Sequence, residues 1–119
     1  LNIRRIGYVA SEITKNRGAA ICAPIAPYEE SRNYVKEIIS QYGEYILVHV
    51  STSLEVCEKR DTKGLYKKAK EGLIKGLTGV DDPYEAPKDA DLIIDTDGIS
   101  VSDAVSNIMV YLKNADLIK

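Results

Sequence analysis

The chain has 119 residues and a mass of 13.1 kDa, with a formal net charge of -2, 45% hydrophobic residues and 29% charged residues. These values are typical of one small globular domain, and no stretch contains the roughly 18 apolar residues that a membrane-spanning helix needs. The single histidine and two scattered cysteines provide too few ligands for a zinc site. Cys22 and Cys57 are expected to be buried free thiols in a reducing cytoplasm.

The first half of the chain alternates helical and extended patterns. Apolar residues recur every three or four positions over residues 3–16 and again over 29–42, which predicts two amphipathic helices. Each is followed by a short continuous apolar run, residues 18–26 and 45–50, of the length expected for a strand buried on both faces. Pro27 cannot donate to a neighbouring strand and marks the end of the first run.

The second half begins with a capping-box spacing at Thr52, which predicts a short helix through Arg60. A basic segment containing several glycines follows, and residues 80–91 have the proline and aspartate content of a loop. A short apolar run at 91–95 predicts the last strand. Ser100 then opens a C-terminal helix with a second capping-box spacing and a continuous apolar stripe.

This order of elements predicts a three-layer α/β/α fold with a parallel sheet and right-handed crossovers. Three strands make a thin sheet, and a fold that opens with a helix is expected to lack its first strands. An apolar face of the first helix is then expected to be uncovered. Ligands of such sheets bind outside the carboxyl ends of the strands, which are expected at residues 25–28, 51–52 and 95–97.

A basic cluster lies between residues 59 and 75. Seven of the sixteen Lys and Arg residues fall in this stretch, against two acids, Asp61 and Glu71. On a mildly acidic chain this is a local concentration of positive charge, which attracts phosphate or sulfate groups. A solvated helix face is the alternative interpretation of such a charge run.

The sequence of this stretch resembles the lid of the adenylylsulfate kinase (APS kinase) family. Residues 60–69 match the family pattern RD-x-KGLY-x-KA, and residues 72–85 continue it with a Gly, an Ile-Lys pair and TG-x-DDPYE. Residues 2–7 resemble the family's N-x-R-R-I-G helix, and residues 22–28 its strand-end motif, so the resemblance covers essentially the whole chain. The sequences of residues 22–28 and 48–58 are most similar to those of the kinase domain that is fused behind an ATP sulfurylase in bifunctional bacterial enzymes.

The resemblance implies that residues 1–119 belong to one P-loop NTPase-like α/β domain, incomplete at its N-terminus, with a lid at about 61–79. It implies a kinase of sulfate assimilation that transfers the γ-phosphoryl group of ATP, bound with Mg²⁺, to the 3′-hydroxyl of adenylylsulfate. The product is 3′-phosphoadenylylsulfate (PAPS). The implied partners are ATP, adenylylsulfate, a second copy in a homodimer and a fused ATP sulfurylase domain. Neither nucleic acid nor a membrane is expected as a partner, and the expected location is the cytoplasm.

The resemblance also implies roles for individual residues. The guanidinium of Arg60 is expected to stack on the adenine of ATP, with the backbone near Ile99 on the other side of the ring. Lys63, Lys67 and Lys68 are expected to close over the phosphates. The residues expected to contact adenylylsulfate are Asn2, the backbone at Ile25 and Ala26, Lys63, Gly76 and Leu77. No metal ligands are expected from the chain itself.

Several of these residues have a purely structural alternative. Asn2 could cap the first helix, and the lid lysines could be solvated helix charges. Arg60 could be an ion-pair partner of Asp61 or Glu58. The acidic pair at 81–82 precedes a proline, which favours a turn over a cation site.

The chain also departs from the family pattern. Ala26 occupies the position of a serine in the strand-end motif, so no phosphoserine can form there. Leu77 replaces an aromatic residue, and base stacking on an aromatic is worth about 1–3 kcal/mol. The 119 residues contain neither the G-x-x-x-x-G-K-[ST] phosphate loop nor the D-G-D motif with the family's catalytic aspartate. The chain is therefore expected to resemble the C-terminal two-thirds of the domain, to contain no catalytic residue and to be inactive alone.

Two other functions fit parts of the pattern. A nucleotide-binding regulatory module attached to an ATP sulfurylase would share the resemblance, but it has less reason to retain Arg60 and Lys63. Another nucleoside-monophosphate-type kinase would share the fold and a lid, but not the KGLYKKA and DDPYEAP spellings. An upstream phosphate loop followed by D-G-D would favour the enzyme, and a degenerate loop would favour the module.

Overall fold

The computed structural model describes residues 2–119, which group into two compact units. The first unit contains the described residues up to Tyr45 together with Thr78–Pro87, and the second contains Ile46–Leu77 and Lys88–Lys119. Helices and strands follow in the order α1 (Asn2–Lys15), α2 (Glu29–Ser40), β1 (Val48–Val50), α3 (Leu54–Arg60), α4 (Leu65–Lys70), β2 (Leu92–Ile94) and α5 (Val101–Asn114). Among these described helices, none combines the length and apolar character needed to cross a membrane.

In the first unit, α1 packs against α2 through its small residues. Gly7, Ala10 and Ser11 are the buried positions of α1, and a Cβ atom at Gly7 would overlap the side chain of Val35. The predicted apolar face of α1 is uncovered, as expected from the sequence. Its side chains are 37%, 58% and 39% exposed at Ile6, Val9 and Ile13.

Residues 18–26, predicted to be a strand, form no strand in the structure. Ala26 has a φ of 46°, which lies outside the extended region, and Pro24 has no N–H group to donate to a ladder. A strand needs a hydrogen-bonded neighbour, and in the described chain β1 and β2 pair only with each other. Ile21 is 99% exposed and Cys22 is also exposed, so the expectation that the Cys22 thiol is buried is wrong.

The second unit contains the sheet, which is parallel as predicted but has two strands rather than three. His49 lies opposite Ile93 in the register of β1 and β2, and the Ser51 N–H extends the ladder by donating to the Ile94 carbonyl at 2.8 Å. Ile94 is 4% exposed, and α5 packs against β2. The two chain segments that follow the strands therefore leave the sheet at the same edge.

The caps of two helices show how far local sequence determines helix starts. At α5, Ser100 and Asp103 form the predicted capping box, and their hydrogen bonds lower the pKa of the Asp103 carboxyl group. At α3 the predicted cap, Thr52, is wrong by one residue. The Ser53 hydroxyl accepts from the Val56 N–H at 3.3 Å, while the Thr52 hydroxyl is engaged at the end of the sheet.

Candidate functional site

The side chain of Arg60 is held by a single residue at the carboxyl end of β2. Its Nη1 donates to the Thr96 hydroxyl at 2.7 Å and its Nη2 donates to the Thr96 main-chain carbonyl at 2.8 Å. Hydrogen bonds to a guanidinium lie in its plane, so the two faces are not used by this contact. The contact fixes the plane of the cation while leaving its faces suited to stacking on an aromatic ring.

Thr96 is in turn bonded to the carboxyl end of β1. The hydroxyl oxygens of Thr52 and Thr96 are 2.6 Å apart, and the Thr96 N–H donates to the Thr52 hydroxyl at 3.0 Å. The residues at 51–52 and 95–97 therefore come together. This confirms the predicted positions of these two strand ends.

The loop after β2 contains the second residue expected near ATP. The Asp97 N–H donates to the Asp95 carboxylate at 2.9 Å, and Gly98 has a φ of 74°, a conformation that a side chain would strain. Ile99 follows and is 38% exposed. Arg60 therefore contacts the loop on which Ile99 lies.

Asp61 connects α3 to α4, the helix of the lid. Its carboxylate oxygens accept the N–H groups of Tyr66 and Lys67, each at 3.1 Å, and its main-chain carbonyl accepts the Gly64 N–H at 2.8 Å. Asp61 itself has a φ of 28°, a sparsely populated conformation that Asp tolerates better than most residues. The start of the lid helix is thus attached to the residue next to Arg60, and the Asp61 carboxylate bonds to backbone N–H groups of this helix rather than to Arg60, as the alternative ion pair would require.

Two of the seven cations of the basic cluster form ion pairs with carboxylates, and Arg60 is bonded to Thr96. Lys59 pairs with Glu55 at 2.9 Å, and Lys70 pairs with Glu58 at 3.0 Å. Within the part of the chain that the structure describes, no ion pair involves the exposed side chains of Lys63, Lys67 and Lys68. The lysines expected at the phosphates are therefore among the cations of the cluster that are not engaged with carboxylates.

Two shallow depressions lie beside the lid helix. One, of about 370 Å³, is lined by residues that include Arg60 and Lys63, and the other, of about 330 Å³, is lined by residues that include Lys67. Tyr66 lines both, and its burial, together with nearby Cys57, Glu58 and Asp61, raises the pKa of the phenol. Tyr66 is half-buried and is shared by the linings of the two depressions.

In the first unit, a buried arginine joins two loops. Arg32 is 5% exposed, and its Nη1 and Nη2 donate to the carbonyls of Ala26 and Glu85 at 2.8 and 2.7 Å. The Glu85 N–H donates to the Pro27 carbonyl at 2.8 Å, and the Glu85 carboxylate accepts the Glu29 N–H at 2.7 Å. These contacts hold the left-handed Ala26 in place, and Ala26 is one of the positions expected to contact adenylylsulfate.

The acidic pair at 81–82 forms a turn, as the following proline indicated. The Gly79 N–H donates to the Asp82 carbonyl at 2.7 Å, and Thr78 bridges to Asp82. The Tyr28 hydroxyl donates to the Asp82 carboxylate at 3.3 Å, and that negative charge raises the pKa of the phenol. Among the described residues, no cluster of His, Cys, Asp and Glu side chains is arranged to hold a metal ion.

The residues expected to contact adenylylsulfate belong to different units. Asn2 is the exposed first residue of α1, and Ile25 is 63% exposed beside Ala26, all in the first unit. Gly76, with a φ of 72°, and Leu77, which is half-buried, belong with Lys63 to the second unit.

Sequence patterns did not single out three residues that organise these sites. Thr96 was noted only as part of a strand end, although a hydroxyl after an apolar strand is a signal for a site residue. Arg32 carries no signal in the sequence, because the burial of a charged residue is not visible there. Asp61 precedes α4 by four residues, which is too far for a standard N-cap pattern.

A comparison with protein-family models matches residues 1–95 to the family described as adenylylsulphate kinase. Similar curated proteins include the sulfate adenylyltransferases of Chaetomium globosum, 51% identical over 117 residues, and Aspergillus oryzae, 55% identical over 112 residues. The alignments cover 98% and 94% of this chain but 20% of each relative, so the chain spans about a fifth of the length of these relatives. Both relatives are fungal, whereas the motif sequences at 22–28 and 48–58 indicated bifunctional bacterial enzymes.

Solved structures with a similar fold include two APS kinases. The Mycobacterium tuberculosis APS kinase in complex with AMPPNP and APS is 32% identical with a TM-score of 0.88, over 94% of this chain and 65% of that chain. The hexameric APS kinase from Thiobacillus denitrificans is 36% identical with a TM-score of 0.71, over 99% of this chain and 18% of that chain. These similarities confirm the predicted P-loop NTPase-like α/β fold class. Because the family model matches most of its length, the chain belongs to the adenylylsulphate kinase family.

Proposed function

We propose that this chain forms part of an adenylylsulfate kinase, which transfers the γ-phosphoryl group of ATP to the 3′-hydroxyl of adenylylsulfate and produces PAPS. The observation that carries the proposal is the guanidinium of Arg60, held in its plane by Thr96 at the carboxyl end of the parallel sheet. Ligands of α/β sheets bind at that edge. A planar cation with unused faces suits a purine base, and we assign the adenine of ATP to Arg60, with the backbone near Ile99 on its other side.

The lid lysines supply the positive charge that phosphoryl transfer needs. Phosphoryl transfer depends mainly on positioning and on electrostatic stabilisation of the phosphate oxygens. Lys63 lines the same depression as Arg60, while Lys67 and Lys68 lie on α4, which the Asp61 carboxylate attaches to the end of α3. We assign all three lysines to the phosphate and sulfate groups of the two nucleotides.

The proposed contacts to adenylylsulfate use backbone more than side chains. The Ala26 backbone is held in a left-handed conformation by Arg32, which supports a contact through the main chain at Ile25 and Ala26. The other proposed contacts are Asn2, Lys63, Gly76 and Leu77.

The metal ion enters with the substrate, as MgATP. The 119 residues contain no phosphate loop and no D-G-D motif, so we propose that this stretch by itself does not catalyse the transfer. Its own residues bind the base, close over the phosphates and position adenylylsulfate.

The larger assembly is part of the same proposal. The family model at 1–95 spans residues of both compact units, which supports their membership of one kinase domain. The relatives at 51% and 55% identity are named sulfate adenylyltransferases, which supports fusion to an ATP sulfurylase. We further propose a homodimer in the cytoplasm, without nucleic acid or membrane as a partner.

The function is tested by measuring PAPS formation from MgATP and adenylylsulfate. We expect turnover by the full-length protein and none by the 119-residue stretch alone, because a nucleotide without a phosphate cradle is not held for in-line transfer. Turnover by the 119 residues would contradict the assignment of catalysis to groups absent from them. A full-length protein that binds both nucleotides without turnover would instead be a regulatory module.

The lid is expected to become ordered when both nucleotides bind. Residues 61–79 have few large apolar side chains, and their unpaired lysines repel one another until anions lie between them. Amides over this range of the full-length protein should exchange quickly without ligands and at least about tenfold more slowly with a non-hydrolysable ATP analogue plus adenylylsulfate. The amides of β1 and β2 serve as the internal control. Strong protection without ligands, unchanged on binding, would mean a fixed structural helix.

A further inference from the structure

We propose that Thr96 is a positioning residue for ATP, and that it acts by holding the guanidinium of Arg60 while Thr52 holds Thr96. The inference rests on the proposed stacking role of Arg60. It adds a specific reason why Arg60 is in the right orientation before the nucleotide arrives.

An unrestrained arginine on the protein surface rotates about several bonds. Stacking on a base requires one orientation of its plane, so an unrestrained guanidinium loses that freedom when the nucleotide binds. Two bonds from Arg60 to one residue, at 2.7 and 2.8 Å, remove most of this freedom in advance. The bonds involve the edge of the cation, so the restraint does not compete with stacking.

Thr96 is itself restrained from the neighbouring strand. Its N–H donates to the Thr52 hydroxyl at 3.0 Å and the two hydroxyl oxygens are 2.6 Å apart. The Thr96 hydroxyl must accept from Arg60, because a guanidinium only donates, and its own hydrogen is then available to donate to the Thr52 hydroxyl. The restraint on Arg60 therefore starts at the hydrogen-bonded ends of the paired strands β1 and β2.

Substitutions at Thr96 separate the hydroxyl from the shape of the side chain. Thr96→Val keeps the branched shape, the backbone bond to Thr52 and the main-chain carbonyl that accepts from Arg60, but removes the hydroxyl acceptor, whereas Thr96→Ser keeps the hydroxyl. In the full-length protein we expect Thr96→Val to weaken binding of a non-hydrolysable ATP analogue about tenfold, in line with the loss of one charged hydrogen bond. Thr96→Ser should restore binding to within about twofold of the original protein. Binding of adenylylsulfate should be unchanged in both variants.

A double-mutant cycle with Arg60→Ala identifies the route of the effect. Once Arg60 is removed, adding Thr96→Val should have no further effect on the ATP analogue, because the two residues act through one contact. Equal effects of Thr96→Val with and without Arg60, or equal weakening of both nucleotides, would overturn the positioning role. If Arg60→Ala alone leaves ATP-analogue binding unchanged, the stacking role in the proposed function fails as well. Full loss of binding in Arg60→Ala with no effect of Thr96→Val would overturn the inference and leave the proposed function standing.

Discussion

Replacing Lys63 by alanine should lower the turnover of the full-length protein by about 100-fold, whereas Lys59→Ala should change it by less than about twofold. Both are exposed lysines of the same basic cluster, four residues apart. Lys59 pairs with Glu55 at 2.9 Å, while Lys63 forms no ion pair in the described part of the chain and lines the same depression as Arg60. A cation without a carboxylate partner has no neighbouring negative charge that offsets its attraction to a phosphate. Such a cation is suited to stabilise the charge that develops on the phosphoryl group in the transition state.

The measurement is PAPS formation over a range of concentrations of both nucleotides up to saturation. The rate at saturation gives the turnover, and the concentration dependence gives the apparent affinity. Lys63→Arg should retain more turnover than Lys63→Ala, because it keeps the charge but changes its geometry. Equal losses from Lys59→Ala and Lys63→Ala would mean that the cluster acts through its total charge rather than through a positioned lysine. A loss confined to the apparent affinity for adenylylsulfate would leave Lys63 as a binding residue without a role in the transfer.

Four of the five described helices were predictable because each depends on nearby residues, whereas α4 was not predicted as a separate helix. The α5 capping box needs only Ser100 and Asp103, and the apolar spacing in α1 needs only its own turns. The face that α1 buries was not predictable from hydrophobicity. Its isoleucines are exposed, and the small Gly7 faces Val35, because a close approach of two helices requires small residues rather than large apolar ones.

The strands depend on residues far away in sequence, and there the patterns were less reliable. The parallel pairing of β1 and β2 was predicted, but the apolar run at 18–26 has no strand beside it in the described chain. An apolar composition indicates that a segment suits a sheet, but it does not supply the neighbouring strand. The left-handed Ala26 is likewise maintained by the distant Arg32 and Glu85, a contact with no local signature.

The candidate site residues were predicted from a long family pattern, whereas the contacts around them are visible only in the structure. Arg60 was expected to stack on ATP, but its bonds to Thr96 could not be inferred, because 36 residues separate the two positions. The same holds for the lid lysines. All seven cations of the cluster look equivalent in the sequence, and in the structure the side chains of Glu55 and Glu58 set Lys59 and Lys70 apart from the others.

Replacing Arg32 by glutamine should lower the free energy of unfolding by about 3 kcal/mol, the largest stability effect that we expect from one side chain here. Arg32 is 5% exposed and donates to the carbonyls of Ala26 and Glu85. Glutamine is too short and has the wrong geometry to reach both, so at least one carbonyl loses its partner. Both carbonyls are part-buried, and an unpaired acceptor costs about 1–3 kcal/mol where it is buried; the strained turn at Ala26 is then also no longer held.

The matched control is Arg5→Gln on α1, where the arginine is exposed and a change within about 0.5 kcal/mol is expected. Urea unfolding followed by circular dichroism gives the free energies, and hydrogen exchange at the Glu85 amide gives a local measure, since that amide bonds to the Pro27 carbonyl. In Arg32→Gln the Glu85 amide should exchange faster, while the amides of β1 and β2 keep their rates until global unfolding. If the Glu85 amide remains as protected as before, the two loops are held by contacts other than Arg32. The Ala26 backbone would then keep its conformation without the arginine, and binding of adenylylsulfate should be unchanged in the same variant.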